Sequence, residues 1–165
     1  MLLRVVTLTL TLGLIAGWGT FISSACASNG KSANASDTKA DTKTVSEITA
    51  LINMQAKAWN DGDLSKFLSA YSRSGDVVYV SSSGLHRGFD AIEKRYQTRY
   101  GDKKETMGQL ELSDLEVSNL GGKHALCIGK FRVVPKTGAP VTGRFTLIFR
   151  HTKAGWRITY DHSSA

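Results

Sequence analysis

From Thr142 to Ser164 the chain runs T-G-R-F-T-L-I-F-R-H-T-K-A-G-W-R-I-T-Y-D-H-S-S, two alternating segments on either side of a short turn. A period of two sends successive side chains to opposite faces, so each segment is a strand with one face to bury. This pairing predicts a curved sheet that closes over a cavity. It places Trp156, Ile158, Tyr160 and His162 on the inner face, and Arg157, Thr159, Asp161 and Ser163 on the outer one. On that parity His162 projects into the cavity. Asp161 then bonds to the outer side of the sheet or to a partner subunit, and Asp161-His162 is not an acid–base dyad.

Upstream the period changes. Val45, Ile48, Ile52 and Trp59 recur at helical spacing, with Gln55 filling the missing place on the stripe. Thr44 with Glu47 forms a capping box, and Gly62 lies just beyond the end. Asp63 caps a second, shorter helix carrying Leu64, Phe67, Leu68 and Tyr71. Asp76 to Ser82 is expected to be a strand ending in a Ser/Gly turn, and Phe89, Ile92, Tyr96 and Tyr100 mark a third helix between Gly88 and Gly101. Three further strands precede the closing one, with breaks at Leu120 to Lys123, Pro135 to Pro140 and Thr152 to Gly155. Helices gathered first and antiparallel strands last make an α+β domain.

That domain begins at about Val45. Residues 1–27 have the form of an export signal: Arg4, an uncharged stretch from Val5 to Ala25, then Ala25-Cys26-Ala27 as a small-residue cleavage site. Two alternatives share the segment. It is long enough for a retained membrane anchor, and Ile22 to Cys26 loosely matches a lipoprotein box, in which case Cys26 would carry a lipid that tethers the domain to a membrane. Residues 28–44 hold no aromatic or large aliphatic side chain and are expected to form a disordered polar spacer. Asn34-Ala35-Ser36 also matches a glycosylation acceptor.

Lys and Arg number 21 against 14 Asp and Glu, a net charge of +7. The bases are scattered, with a modest group at Arg95, Arg99, Lys103 and Lys104, and no nucleic-acid motif accompanies them. Loss of the signal would leave Cys127 as the single cysteine, so no internal disulfide is available and packing must supply the stability. Cys127 sits in an apolar stretch, where a buried structural role is expected.

The element order resembles a known family, as do Trp59-Asn60-Asp61-Gly62-Asp63, Gly88-Phe89-Asp90-Ala91-Ile92, Gly143-Arg144-Phe145-Thr146-Leu147 and Gly155-Trp156-Arg157-Ile158 with Asp161-His162-Ser163-Ser164. This is the SnoaL-like branch of the nuclear transport factor 2-like superfamily, and the resemblance spans residues 45–165. It implies a cone: three N-terminal helices packed on a strongly curved antiparallel sheet, with a pocket between them. The superfamily holds isomerases, cyclases, dehydratases, transport factors and oligomerisation hubs, so the resemblance implies a fold and leaves the chemistry open. Its steroid isomerases use a tyrosine, an aspartate base and a protonated acid. The matching places here hold Gln55, Tyr79 or Val80, and Leu147, so that reaction is disfavoured.

The expected ligand-binding residues are Gln55, Trp59, Tyr79, Tyr96 and His162. Each has a plain structural role as the competing reading: a satisfied internal amide for Gln55, core packing for the aromatics, and a core imidazole for His162. Arg95 and Arg144 could neutralise an anionic ligand or be solvated surface. His86, His124 and His151 are dispersed, and neither a metal nor a cofactor is expected. Three functions are consistent with these residues. One is an exported cell-envelope domain, periplasmic or secreted, that binds a small, largely apolar molecule. Another is an isomerase, cyclase or dehydratase with His162 as general acid or base. The third is a homodimerising assembly module that uses Thr146, Ile148 and Thr159 on the outer face. Nucleic acid is not expected as a partner, and a membrane only through a lipid on Cys26.

Overall fold

The computed structural model describes residues 35–101 and 104–165. The export signal at 1–27, Cys26, Asn34 and the first part of the spacer lie outside the described residues. Helix α1 spans Ala35–Asp61, and α2 spans Leu64–Leu68. A hairpin of β1 (Val78–Ser81) and β2 (Gly84–Arg87) leads into α3 (Phe89–Tyr100) and the short α4 (Lys104–Met107). Four long strands follow: β3 (Gln109–Gly121), β4 (His124–Val134), β5 (Val141–Thr152) and β6 (Gly155–Ser164). The sheet has six strands in the order β2-β1-β6-β5-β4-β3, curved and unclosed, with helices against its concave face.

Several expectations need correction. α1 is helical from Ala35, the first described residue, so residues 35–44 continue the helix upstream of the cap expected at Thr44. Extending an existing helix adds a hydrogen bond for each residue fixed and needs no core of its own, whereas composition reports only on burial. Thr44 is buried rather than capping, and Val45 is 39% exposed. Among the described residues, only α1 and α2 precede the sheet, since the turn after β1 folds back as β2 before α3 begins. The sheet is also not purely antiparallel, because β1 runs parallel to β6.

The Trp59-to-Asp63 segment shows how sequence fixes a joint. Gly62, at φ 80°, ends α1: its N–H donates to the Trp59 carbonyl at 2.9 Å, and the Asp63 N–H to that of Ala58 at 2.9 Å. That pair of bonds closes a Schellman turn, which needs a residue tolerant of positive φ. Asp63 then caps α2, its carboxylate accepting from the Lys66 N–H at 2.8 Å. Asn60 imitates a strand: its amide donates to the Leu110 carbonyl at 3.0 Å and accepts from the Leu110 N–H at 2.7 Å. The Trp59 indole donates to the Met107 carbonyl at 3.0 Å. One five-residue motif thus stops a helix, starts another and anchors the beginning of β3.

Gly129 and Gly143 admit close approach of neighbouring groups to the long strands. A Cβ on Gly129 would lie 2.6 Å from the Phe145 ring, and one on Gly143 would meet both the Phe131 ring and the backbone oxygen of Ser164. Glycine inside a strand commonly marks such a close approach. Gly143→Ala is therefore expected to destabilise the domain by roughly 1–3 kcal/mol, because backbone cannot swing aside as a side chain can. Gly75→Ala, with nothing within 4 Å of the new methyl group, should stay within about 0.5 kcal/mol of the parent. Urea unfolding midpoints of the two variants test the contrast.

Candidate functional site

A cavity of about 450 Å³ lies between the helices and the concave face of the sheet. That volume is within the roughly 300–1,000 Å³ of small-molecule sites. Its wall is mostly aromatic and aliphatic: Trp59 from α1, Tyr96 from α3, Phe131 and Phe145 from β4 and β5, and Ile158 from β6. Trp59 packs edge-on to Phe67 at 5.1 Å and to Tyr100 at 4.8 Å between ring centroids. These rings hold one another at T-shaped separations, which fixes the shape of the wall.

β6 is where the structure departs most from its sequence pattern. Opposite it, Ile148 pairs with Tyr160 but Phe149 pairs with Ile158, which leaves Thr159 as an extra residue. This is a β-bulge, and one extra residue exchanges the two faces of everything beyond it. Trp156 and Ile158 are buried before the bulge, as their alternation predicts, and Asp161 is buried after it. His162 is exposed and does not line the cavity. The expected inward imidazole is therefore corrected: Asp161 and Ser163 face the cavity in its place.

The bulge coincides with a change of partner on the other edge of β6. Ile158 exchanges backbone hydrogen bonds with the segment after α2, donating to the Ala70 carbonyl and accepting from the Ser72 N–H, both at 2.8 Å. Two residues later β6 takes a different neighbour, with Tyr160, Asp161 and His162 opposite Val78, Tyr79 and Val80 of β1. The extra residue falls at this change of partner.

Asp161 is 3% exposed and Tyr71 is 2% exposed. The Tyr71 hydroxyl donates to Asp161 Oδ2 at 2.5 Å, and the Ser163 hydroxyl donates to Oδ1 at 2.7 Å. Burial pushes the Asp161 carboxyl up to about 6, against the pull of these two hydrogen bonds, which favour the ionised form. Burial likewise holds the Tyr71 hydroxyl well above the usual tyrosine range, with the Asp161 charge adding to it. Tyr71 is thus a fixed proton donor to Asp161, and Asp161 is the group that titrates. Two donors occupy only part of a carboxylate's acceptor capacity, so lone pairs remain for a ligand.

Of the residues expected from sequence, Gln55, Trp59, Tyr79 and Tyr96 all come together on the cavity wall. Gln55 is also internally bonded, its amide donating to the Phe67 carbonyl at 3.1 Å. Tyr79 lies opposite Asp161 across β1 and β6, and it stacks on His86 at 5.9 Å. Leu147 is directly opposite Asp161 on β5, so the carboxylate sits one strand away from the place that a steroid isomerase resemblance assigns to its acid. Asp161 and Ser163 are absent from the sequence-based site because alternation carries no sign of a bulge, and Tyr71, bonded to Asp161, is absent with them. Among the described residues, no group of three or more His, Cys, Asp or Glu is placed to hold a metal ion.

A raised carboxyl makes stability depend on pH. Between the ordinary aspartate value of 3.8 and about 6 the folded protein keeps a proton that the unfolded chain has lost. The contribution of Asp161 to stability is therefore greatest below that window and falls as pH rises through it, by on the order of 3 kcal/mol. Asp161→Asn should remove this fall and be the more stable protein at pH 8, as thermal unfolding across that range would show.

Among curated proteins none matches this sequence. Solved structures do. A nuclear transport factor 2-like protein of unknown function from Shewanella oneidensis MR-1 is 29% identical, with a TM-score of 0.68 over 73% of this chain and 98% of that one. A second such protein, from Pseudomonas putida KT2440, is 24% identical with a TM-score of 0.63 over 75% and 87% of the two chains. A superfamily member from Salmonella enterica serovar Typhimurium LT2 is 22% identical, also with a TM-score of 0.63, over 75% and 92%. These likenesses establish a fold compatible with small-molecule binding. The SnoaL-like domain model matches residues 48–165, most of the chain and all of the sheet and cavity just described, and the protein belongs to that SnoaL-like family.

Proposed function

We propose that this chain is an exported cell-envelope domain that binds a small, largely apolar organic molecule in its cavity. The observation that carries the binding role is a buried carboxylate, Asp161, set in the wall of an aromatic-lined hollow. The rings supply apolar area, and Asp161 with its Tyr71 donor supplies the directional contact that orients a ligand. Export is supported by the charge and small-residue pattern of residues 1–27. Val133 lines the cavity and is only half-buried, so Val133→Trp can fill the hollow without crowding the core. The neutral fluorophore phenylnaphthylamine should bind the parent protein and not this variant; equal fluorescence from both would remove the cavity as the site.

A second reading is favoured by the Asp161 carboxyl at about 6. Such a group is mostly ionised at neutral pH and still basic enough to take a proton, which suits an isomerase, cyclase or dehydratase. In this reading Asp161, not His162, moves the proton. Deuterium uptake at the α-carbon of beta-tetralone, followed by NMR, should rise with pH through about 6. Asp161→Asn should abolish it and His162→Gln leave it unchanged; uptake that survives Asp161→Asn ends the enzymatic reading.

The convex face supports a homodimer as well. Leu126, Ile148 and Tyr160 are successive cross-strand partners there, beside Ile128, which is 38% exposed. Light scattering should give twice the monomer mass, and Ile148→Lys should return it to one.

A further inference from the structure

The charged side chains on the cavity wall fall into two groups of opposite sign, each with hydroxyls beside it. Asp161, Tyr71 and Ser163 make one. The other belongs to α3 and the β1–β2 turn, where Arg95, Arg99, Ser81 and Ser82 line the same cavity. Arg95 and Arg99 stand four residues apart on α3 and so share a face of it. The Arg95 guanidinium lies 5.0 Å from the Tyr79 ring centroid and 5.8 Å from that of Tyr96, and Arg99 lies 5.4 Å from that of Tyr100.

Arg95 is held but not neutralised. Its Nη2 donates to Ser83 Oγ at 2.8 Å and reaches Ser81 Oγ at 3.5 Å. Its Nε is closed off from solvent and has no acceptor in the protein. No described carboxylate lies within salt-bridge distance of Arg95 or Arg99, whereas Arg132 is paired with Glu111 at 3.0 Å. A guanidinium laid against two rings, steadied by hydroxyls and without a counter-ion, is organised in advance for an anion. Its planar fork matches a carboxylate bidentately.

We propose that the ligand is a small aromatic acid whose carboxylate meets Arg95, with Arg99 beside it, and whose opposite end donates a hydroxyl or amine hydrogen to Asp161. This depends on the ligand-binding role of the cavity. The orientation follows from charge: an anion brought to the Asp161 end would be repelled, while a donor there finds unused lone pairs. The ring between the two ends lies among Trp59, Tyr79, Tyr96 and Phe145.

The test compares para-hydroxycinnamate, its methyl ester and unsubstituted cinnamate by calorimetry, with phenylnaphthylamine as a neutral reference for an intact cavity. The parent protein should bind the acid about tenfold or more tightly than the ester, as expected for a charge-assisted bidentate contact. Arg95→Gln should erase that preference, Arg95→Lys should restore part of it, and both should keep the affinity for phenylnaphthylamine. Cinnamate, which lacks the hydroxyl, should bind more weakly than para-hydroxycinnamate to the parent and equally to Asp161→Asn. If the parent takes phenylnaphthylamine but does not distinguish acid from ester, the cavity keeps its ligand-binding role and the aromatic-acid assignment is wrong. The same holds if Arg95→Gln retains the preference. If no probe binds at all, both fall together.

Discussion

The site depends on one added residue in the last strand. β6 must first pair with the segment after α2, through Ile158, and then with β1, through Tyr160 to His162. The Thr159 bulge falls between those two neighbours. Without it the face that buries Trp156 and Ile158 would continue to Tyr160 and His162. With it the inner face ends in Asp161 and Ser163. A backbone irregularity thus decides which titratable group the cavity contains, an instance of bulges re-aiming side chains beside functional sites.

Burial of Asp161 is tolerated because its surroundings supply hydrogen bonds rather than a cation. Tyr71 and Ser163 both donate to it, and Tyr71 is packed among the core aromatics, where its own hydroxyl needs an acceptor. Each group satisfies the other, as buried polar atoms must. The balance leaves the carboxyl raised but still mostly ionised at neutral pH. That suits a group that accepts a hydrogen bond or takes up a proton, and both proposed functions use it.

Much of the fold was legible in the sequence because local rules and tertiary packing agree there. Gly62 stops α1, Asp63 caps α2, Gly88 and Gly101 bound α3, and Gly121-Gly122 turn β3 into β4 with both glycines at positive φ. Gln55, Trp59, Tyr79 and Tyr96 share the cavity because helical and strand periods point them at one core. β2 is not legible in the sequence, since Gly84–Arg87 is short and mostly exposed and carries no alternation to mark it. Residues 35–44 carry no apolar stripe to mark them as helix, because composition signals burial and the outer turns of a long helix need none. His162 was placed inside by a parity argument that holds only for an unbroken strand.

By itself, then, the sequence determined the long strands, the bodies of α1, α2 and α3, where those helices stop, and which side chains are apolar enough to make a core, because those properties are set within a few residues along the chain. What only the tertiary structure decided is the chemistry of the hollow. Asp161 faces inward because two distant segments, one at Tyr71 and one at Val78, both claim β6, and Arg95 lies at the same wall because the β1–β2 turn brings Ser81 and Ser83 to it. Register between strands is settled by pairing partners far apart in sequence, and a shift of a single residue exchanges one face for the other.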